Sequence, residues 1–142
     1  PSLLQSLVAG PNTLCHGDFR ADNILFNSDN EPVLIDFQLL GSGTGAYDVA
    51  YFITQSLTKE DASKYERELF DRWIAGLQGE GLVVDAEDLW LQYRRCALFC
   101  LAYPVIASRG MDLNNDRERT LIEMMNERFD RAVRELNLVE LM

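Results

Sequence analysis

The sequence predicts an α+β domain that is mainly helical. Two short apolar stretches flank a cluster of turn-forming residues at 27–32, which is the pattern of a β-hairpin. From residue 46 onward, apolar side chains recur at three- and four-residue spacing, as they do in amphipathic helices. A chain of 142 residues is long enough for one domain with a hydrophobic core. We expect a hairpin-bearing part at 1–45 and a helical part at 46–142.

The hairpin is expected to place polar side chains at one of its ends. Its first strand directly follows Asn23, and its second strand, 33–35, directly precedes Asp36. Folding the two strands together brings Asp18, Asn23 and Asp36 to the same end. Because 33–35 is apolar, Asp36 is predicted to end a buried strand, where an unpaired carboxylate is costly. A bound metal ion would relieve that cost.

The expected helices have apolar residues on one face and capping or turn-forming residues at their ends. They cover residues 1–10, 46–57, 58 to the glycine-rich stretch 76–81, 85–108 and 114–136. Gly10 and Pro11 should end the first helix. Thr58 and Asp61 form a capping box at the start of the third. Pro104 should kink or end the helix that contains it.

Three further stretches have distinct patterns. Residues 96–103 are apolar on all sides, which predicts a buried central helix. The glycine-rich stretch 41–45 lacks the strand-to-helix context of a phosphate-binding loop, so a flexible connector is expected. Asp48 lies near the start of a predicted helix, where it could cap backbone amides.

Composition argues against several kinds of partner. The formal net charge is -10, from 23 acidic and 13 basic residues, which would repel nucleic acid and anionic membranes. No apolar run approaches the ~18 residues of a membrane-spanning helix. Cys15, Cys96 and Cys100 are too few for a disulfide framework and are expected to be buried and reduced. A zinc site would require Cys15 and His16 to converge on the other two cysteines. We expect a cytoplasmic protein.

Asp18, Asn23 and Asp36 have the chemistry of a magnesium site. Two carboxylates and one amide oxygen are hard ligands, which suit Mg²⁺ better than zinc. A loop of the form His-x-Asp-x-x-x-x-Asn, followed by a strand that ends in Asp-Phe, transfers phosphoryl groups in protein kinases and their relatives. Here the loop begins at His16 and the Asp-Phe pair begins at Asp36.

Three runs of sequence carry a family resemblance: HGDFRADNILF from His16, VLIDFQ from Val33 and GAYDVAYF from Gly45. They resemble the aminoglycoside phosphotransferase and choline kinase superfamily, especially its ecdysteroid-kinase-like branch. Protein kinases usually have arginine at the position of Gly17, whereas that superfamily has glycine there. The resemblance covers residues 12–54. It implies the C-terminal lobe of a protein-kinase-like fold, with the small hairpin carrying the catalytic loop, and ATP- and magnesium-dependent phosphorylation of a small-molecule hydroxyl.

The motif assigns a role to each site residue. Asp18 would orient the substrate hydroxyl and receive its proton, while Asn23 and Asp36 would bind the magnesium ions on the ATP phosphates. Arg20 follows Asp18 by two residues and could hold the γ-phosphoryl oxygens. A surface salt bridge between Arg20 and Asp22 is an equally good interpretation.

Two residues are expected to support the site without touching substrate. His16 is the only histidine in the chain. The resemblance implies a packed ring that hydrogen-bonds to backbone near Asp36 rather than a base. It also implies that Asp48 supports the catalytic loop.

A kinase fold needs a second lobe, with a glycine-rich loop and a strand lysine paired with a helix glutamate. Neither pattern occurs here, and the only lysines, Lys59 and Lys64, lie on a predicted exposed helix face. We expect the chain to be the C-terminal lobe of a longer protein, with the N-terminal lobe as its partner, and to be inactive alone. Two alternatives are a pseudokinase-like binding module and a structural domain in which Asp36 is exposed and apart from Asn23.

Overall fold

The computed structural model of the protein describes residues 3–8 and 12–142. The elements are α1 (Leu3–Leu7), β1 (Thr13–Cys15), β2 (Ile24–Phe26), β3 (Pro32–Leu34), β4 (Gly41–Gly43), α2 (Gly45–Ser56), α3 (Lys59–Gly79), α4 (Ala86–Phe99), α5 (Ala102–Ser108) and α6 (Asp116–Glu135). The predicted α+β, mainly helical class is confirmed. The expected stop of α1 at Gly10 and Pro11 lies outside the described residues.

The predicted hairpin is present. Strands β2 and β3 pair antiparallel, and the turn between them is held by the side chain of Asn27. Its Oδ1 accepts hydrogen bonds from the amides of Asp29 (3.0 Å) and Glu31 (2.8 Å). Asn30 has a positive φ of 62°, which asparagine tolerates better than most residues. Local turn chemistry therefore sets the hairpin, as expected from the sequence.

The glycine-rich stretch 41–45 forms strand β4 and the first residue of α2, and is not a flexible connector. Strand β4 pairs antiparallel with β1, in the register Thr13↔Gly43 and Cys15↔Gly41. A Cβ on Gly43 would lie 3.4 Å from Cys15 Sγ, and one on Gly45, at the start of α2, would lie 3.2 Å from the Trp73 ring. The local sequence disfavours a strand because glycine loses much entropy on folding. Pairing with β1, far away in sequence, offsets that cost.

The core lies between the helices, with α4 at its centre. The predicted burial of the 96–103 segment is confirmed for Cys96, Ala97, Leu98 and Cys100. All three cysteines are free and buried, and burial raises the pKa of the Cys96 thiol to about 12. Within the described part of the chain, no helix has both the length and the apolar character needed to cross a membrane.

The helix predicted at 85–108 is divided into α4 and α5. Proline cannot donate a backbone hydrogen bond, and its ring clashes with the carbonyl four residues earlier. For Pro104 that carbonyl belongs to Cys100, and α4 ends immediately before it, at Phe99. The expectation that Pro104 interrupts the helix is confirmed, but the interruption lies about one turn upstream of the proline.

A buried ion pair joins α3 to α6. The Arg131 guanidinium and the Glu66 carboxylate lie 2.8 Å apart, with side-chain exposures of 5% and 8%. The Tyr93 hydroxyl of α4 also donates to Glu66, at 2.5 Å. Removing one partner of such a pair leaves a buried charge without compensation.

Arg131→Met should therefore destabilise the protein by about 3–5 kcal/mol. The matched control is Arg134→Met, on the same helix, which removes an exposed ion pair with Asp130 and should change stability by less than ~0.5 kcal/mol. Urea unfolding followed by circular dichroism measures both. Equal losses in the two variants would contradict the assignment of Glu66–Arg131 as the helix-joining pair.

Candidate active site

Four of the six predicted site residues lie in one loop, residues 16–23. It follows β1 directly and ends in a 3-10 turn (Ala21–Asn23) that leads into β2. Because β1 is paired with β4 and β2 with β3, both ends of the loop are held by strands. The other two predicted residues, Asp36 and Asp48, come from the segment after β3 and from α2.

Asp18 and Asn23 are in direct contact. Asn23 is buried, and its Nδ2 donates to Asp18 Oδ2 at 3.0 Å and to the Asp18 carbonyl at 2.8 Å. The Asp18 side chain is 14% exposed, so it reaches the surface. Since Asn23 uses its amide nitrogen for both bonds, its Oδ1 is the atom with which it could hold a cation.

Arg20 lies between two carboxylates. Its Nε is 3.5 Å from Asp18 Oδ1, and its Nη1 is 3.8 Å from Asp22 Oδ2. Its side chain is 45% exposed, and that of Asp22 is 81% exposed. Such exposed, long contacts contribute little to stability. The guanidinium is therefore near Asp18 and accessible from solvent.

Asp36 is placed differently from the expectation. It is exposed, as are the β3 residues before it, so the prediction that it ends a buried strand is wrong. The reason is that β3 pairs with β2 alone, and its side chains remain uncovered. The cost of burying a carboxylate is therefore no argument for a metal ion at Asp36.

Asp36 nevertheless lies beside Asn23 in the backbone. The amide of Ile35, one residue earlier, donates to the Asn23 carbonyl at 3.0 Å. Asp36 itself has φ 62°, an uncommon conformation for a non-glycine residue. Its carboxylate has a long contact with Gln38 Nε2, at 3.5 Å. The exposure of Asp36 is what the structural alternative predicted. The main-chain bond from Ile35 to Asn23 differs from that alternative, in which the two segments lie apart.

The chemistry of the donor set fits magnesium. Asp18, Asn23 and Asp36 present only oxygen ligands, which suit a hard divalent cation. Among residues 3–8 and 12–142, no group of three or more His, Cys, Asp or Glu side chains is placed to hold a metal ion. A zinc site from the cysteines therefore receives no support, and the Cys15 thiol donates instead to the Thr44 carbonyl at 3.4 Å.

His16 ties the loop to the segment that carries Asp36. Its ring is buried, and Nε2 lies 2.9 Å from the Ile35 carbonyl. Nδ1 accepts a long hydrogen bond, 3.4 Å, from the Asp18 amide, so Nε2 is the protonated nitrogen that donates to Ile35. The ring also packs at 4.8 Å from that of Phe37. This backbone contact near Asp36 is the one expected from the sequence.

Asp48 binds the loop and does not cap its own helix. Its Oδ2 accepts the His16 amide at 2.7 Å, and its Oδ1 accepts the Gly17 amide at 3.0 Å. The N-cap of α2 is Thr44, whose side chain makes no capping hydrogen bond. The capping interpretation of Asp48 is therefore wrong, and its carboxylate supports the turn that precedes Asp18.

The turn at position 17 requires glycine for an unstrained fit. The φ of Gly17 is +84°, and a Cβ there would lie 2.4 Å from the Leu39 carbonyl oxygen. The backbone after Asp36 therefore packs directly against the backbone before Asp18. This close approach explains why glycine stands at this position.

Sequence reasoning missed the aromatic residues of α2. The Tyr47 hydroxyl donates to the Gly17 carbonyl at 3.3 Å and pairs with the Tyr103 hydroxyl. Burial raises the pKa of the Tyr51 hydroxyl, and the Tyr51 ring stacks on that of Tyr47 at 5.8 Å. The four-residue spacing of Tyr47 and Tyr51 was the available signal, because residues one turn apart on a helix share a face.

Gly17→Ala should destabilise the protein by about 1–3 kcal/mol, because it adds backbone strain to a steric clash. The control, Gly76→Ala, lies in the exposed interior of α3 with no atom near its Cβ position, and should stabilise by about 0.5–1 kcal/mol. Thermal unfolding of both variants tests this. A neutral Gly17→Ala would show that the close contact with Leu39 is absent.

The sequence was compared with known proteins. A model of a phosphotransferase enzyme family matches residues 2–90, which is well over half of the chain. An uncharacterized protein of Deinococcus radiodurans is 29% identical over 73 residues, 51% of this chain and 21% of that protein. An uncharacterized protein of Mycoplasma pneumoniae is 37% identical over 54 residues, 38% of this chain and 19% of that protein.

The region matched by the family model, residues 2–90, includes all six predicted site residues. The aligned stretches span about a fifth of the length of the two curated relatives. With the matched region covering the 16–23 loop, the hairpin, β4 and α2, the chain belongs to the phosphotransferase enzyme family.

Proposed function

We propose that this chain is the C-terminal lobe of a small-molecule kinase that transfers the γ-phosphoryl group of ATP to a substrate hydroxyl. Residues 1–45 would supply the catalytic loop and metal-binding hairpin, and 46–142 the helical subdomain. The ecdysteroid-kinase-like branch is the proposed subgroup. The observation that carries this proposal is the contact of Asn23 with Asp18, together with the backbone bond that sets Asp36 beside Asn23.

Asp18 would act on the substrate hydroxyl. Its carboxylate reaches the surface and is held by donors from Asn23 and Arg20, so its orientation is set before substrate arrives. The transition state of phosphoryl transfer is loose, and positioning matters more than the strength of the base. Arg20 is exposed next to Asp18, where its fork of N–H donors would hold the γ-phosphoryl oxygens.

Asn23 and Asp36 would hold magnesium through Asn23 Oδ1 and the Asp36 carboxylate. When bound, the ion neutralises phosphate charge and orients the nucleotide. The exposed Asp36 carboxylate would be accessible to a nucleotide-bound cation. The backbone bond from Ile35 to Asn23 holds the two ligand-bearing segments together.

An exposed apolar surface supports the presence of a second lobe. The hairpin and the turn after it expose large apolar side chains: Leu25, Phe26, Val33, Leu34, Ile35, Phe37, Leu39 and Leu40. Phe26 is 64% exposed. Large apolar side chains exposed in this number are typical of a surface that another part of a protein covers. The N-terminal lobe of the same parent protein is the proposed partner, and it would supply the remaining ATP contacts.

The proposal extends to the activity and location of the chain. Without the nucleotide-gripping lobe, the 142-residue chain alone should show no turnover. Three free cysteines, all buried, favour a cytoplasmic location, because disulfides are rare there. The alternative is a pseudokinase-like binding module. Retention of Asp18, Asn23 and Asp36 favours the enzyme.

Asp18→Ala and Asp36→Ala in the full-length protein should each lower kcat by at least about 10²-fold, with unchanged circular dichroism. The control is Asp130→Ala, an exposed carboxylate on α6, which should leave kcat unchanged. A coupled assay of ADP release, with candidate hydroxyl compounds, measures the rates. Near-normal kcat in Asp18→Ala would refute the mechanism.

Calorimetric titration of the full-length protein with Mg²⁺, with and without ATP, tests the metal role. Binding should require ATP and should weaken at least about tenfold in Asp36→Ala, since one charged ligand is lost. ATP binding that is indifferent to magnesium and to Asp36 would favour the pseudokinase-like module instead.

A further inference from the structure

Helix α2 contacts the 16–23 loop at several points along its length. The contact after Asp48 is made by the Phe52 ring, which packs 5.3 Å from the Phe19 ring. One turn further along, the Ser56 hydroxyl accepts the Ala21 amide at 2.9 Å. These three helix residues are spaced by four, so they share one face. They hold the loop on both sides of position 18.

The peptide group that joins Gly17 to Asp18 is held at both of its polar atoms. Its carbonyl accepts from the Tyr47 hydroxyl at 3.3 Å, and its N–H donates to His16 Nδ1 at 3.4 Å. Both distances are long for hydrogen bonds, so each contact alone is weak. Glycine, without a Cβ, also leaves this peptide more rotational freedom than another residue would. The orientation of Asp18 therefore depends on how well the Tyr47 hydroxyl is itself held.

Tyr103 of α5 holds that hydroxyl, because the hydroxyl groups of Tyr47 and Tyr103 are hydrogen-bonded to each other. A carbonyl can only accept, so the single Tyr47 hydroxyl proton is directed to Gly17. The proton shared between the two hydroxyls is then the one that Tyr103 donates. Successive hydrogen bonds polarise one another, so donation from Tyr103 strengthens the bond from Tyr47 to the Gly17 carbonyl.

We propose that Tyr103 is a positioning residue for the reaction: through Tyr47 it fixes the peptide that precedes Asp18, and so sets the direction in which the Asp18 carboxylate meets the substrate hydroxyl. This inference rests on the proposed function and adds to it a residue of α5. Tyr103 lies beyond residues 2–90, the region that the family model matches. On the other side, Asn23 donates to the Asp18 carbonyl at 2.8 Å. The backbone is thus held both before and after Asp18.

The Tyr103 ring is held by packing that does not involve its hydroxyl. It meets the Tyr51 ring edge-on at 4.8 Å, and the Tyr51 ring is in turn stacked on that of Tyr47 at 5.8 Å. Helix α5, which carries Tyr103, also packs against α6. Phenylalanine at position 103 would keep these contacts and lose only the hydrogen bond.

The test compares kcat in the full-length protein for wild type, Tyr103→Phe, Tyr47→Phe and the double variant. Tyr103→Phe should lower kcat about three- to tenfold, as expected for one neutral hydrogen bond, with the KM for ATP unchanged. Added to Tyr47→Phe, the same substitution should change kcat no further, because Tyr103 acts only through the Tyr47 hydroxyl. Unchanged kcat in Tyr103→Phe, or an equal loss with and without the Tyr47 hydroxyl, overturns the proposal.

The matched control is Tyr93→Phe. It also removes a tyrosine hydroxyl that is hydrogen-bonded to another side chain, that of Glu66, but in the helical core. This variant should lower Tm and leave kcat unchanged. If Tyr93→Phe lowers kcat as much as Tyr103→Phe does, the loss reflects general destabilisation and the proposal is refuted.

A second measurement does not depend on turnover. Amide hydrogen exchange of the full-length protein, followed by NMR, reports how firmly the peptide before Asp18 is held. Tyr103→Phe should speed exchange of the Asp18 amide about three- to tenfold relative to core amides of α4, whereas Tyr93→Phe should leave that ratio unchanged. An unchanged ratio in Tyr103→Phe overturns the inference. If wild type shows no phosphoryl transfer, the proposed function fails, and exchange still decides whether Tyr103 holds this peptide.

Discussion

The hydrogen bonds from two successive loop amides to the Asp48 carboxylate are the constraint on which the site depends. Asp48 is fixed in a helix of the packed core, and His16 and Gly17 begin the loop that carries Asp18. A carboxylate that accepts two amides binds more strongly than neutral acceptors do. It therefore determines where the loop starts relative to the helices. Each later contact along α2 follows from that starting point.

The loop is held on its other side by the segment around Asp36. His16 reaches the Ile35 carbonyl, and Gly17 packs against the Leu39 backbone. Each contact joins the residues just before Asp18 to those just before or after Asp36. The two segments that bear the proposed catalytic and metal-binding carboxylates therefore cannot shift independently. Such preorganisation lowers the cost of orienting reacting groups.

The two parts of the chain differ in burial. The helical part contains the hydrophobic core and a buried ion pair, whereas nearly all apolar side chains of the hairpin are exposed. A rigid helical core is suited to holding a site in a defined geometry. The open hairpin is suited to receiving another surface. The 16–23 loop lies where these two parts meet.

The sequence by itself determined the features that short-range chemistry controls. The hairpin turn, the Thr58 capping box and the interruption near Pro104 depend on residues within about one helical turn of each other. The motif spacing also identified Asp18 and Asn23 as neighbours. Strand β4, in contrast, could not be foreseen, because its glycines form a strand only when β1 is beside them.

Only the tertiary structure decided that Asp36 is exposed and that the Asp48 carboxylate accepts the amides of His16 and Gly17. Asp48 and His16 are 32 residues apart in the chain. Contacts at such separations depend on how whole elements pack, and no local pattern of residues encodes that packing. The chain thus specifies its reactive groups locally, and their orientation arises from long-range contacts.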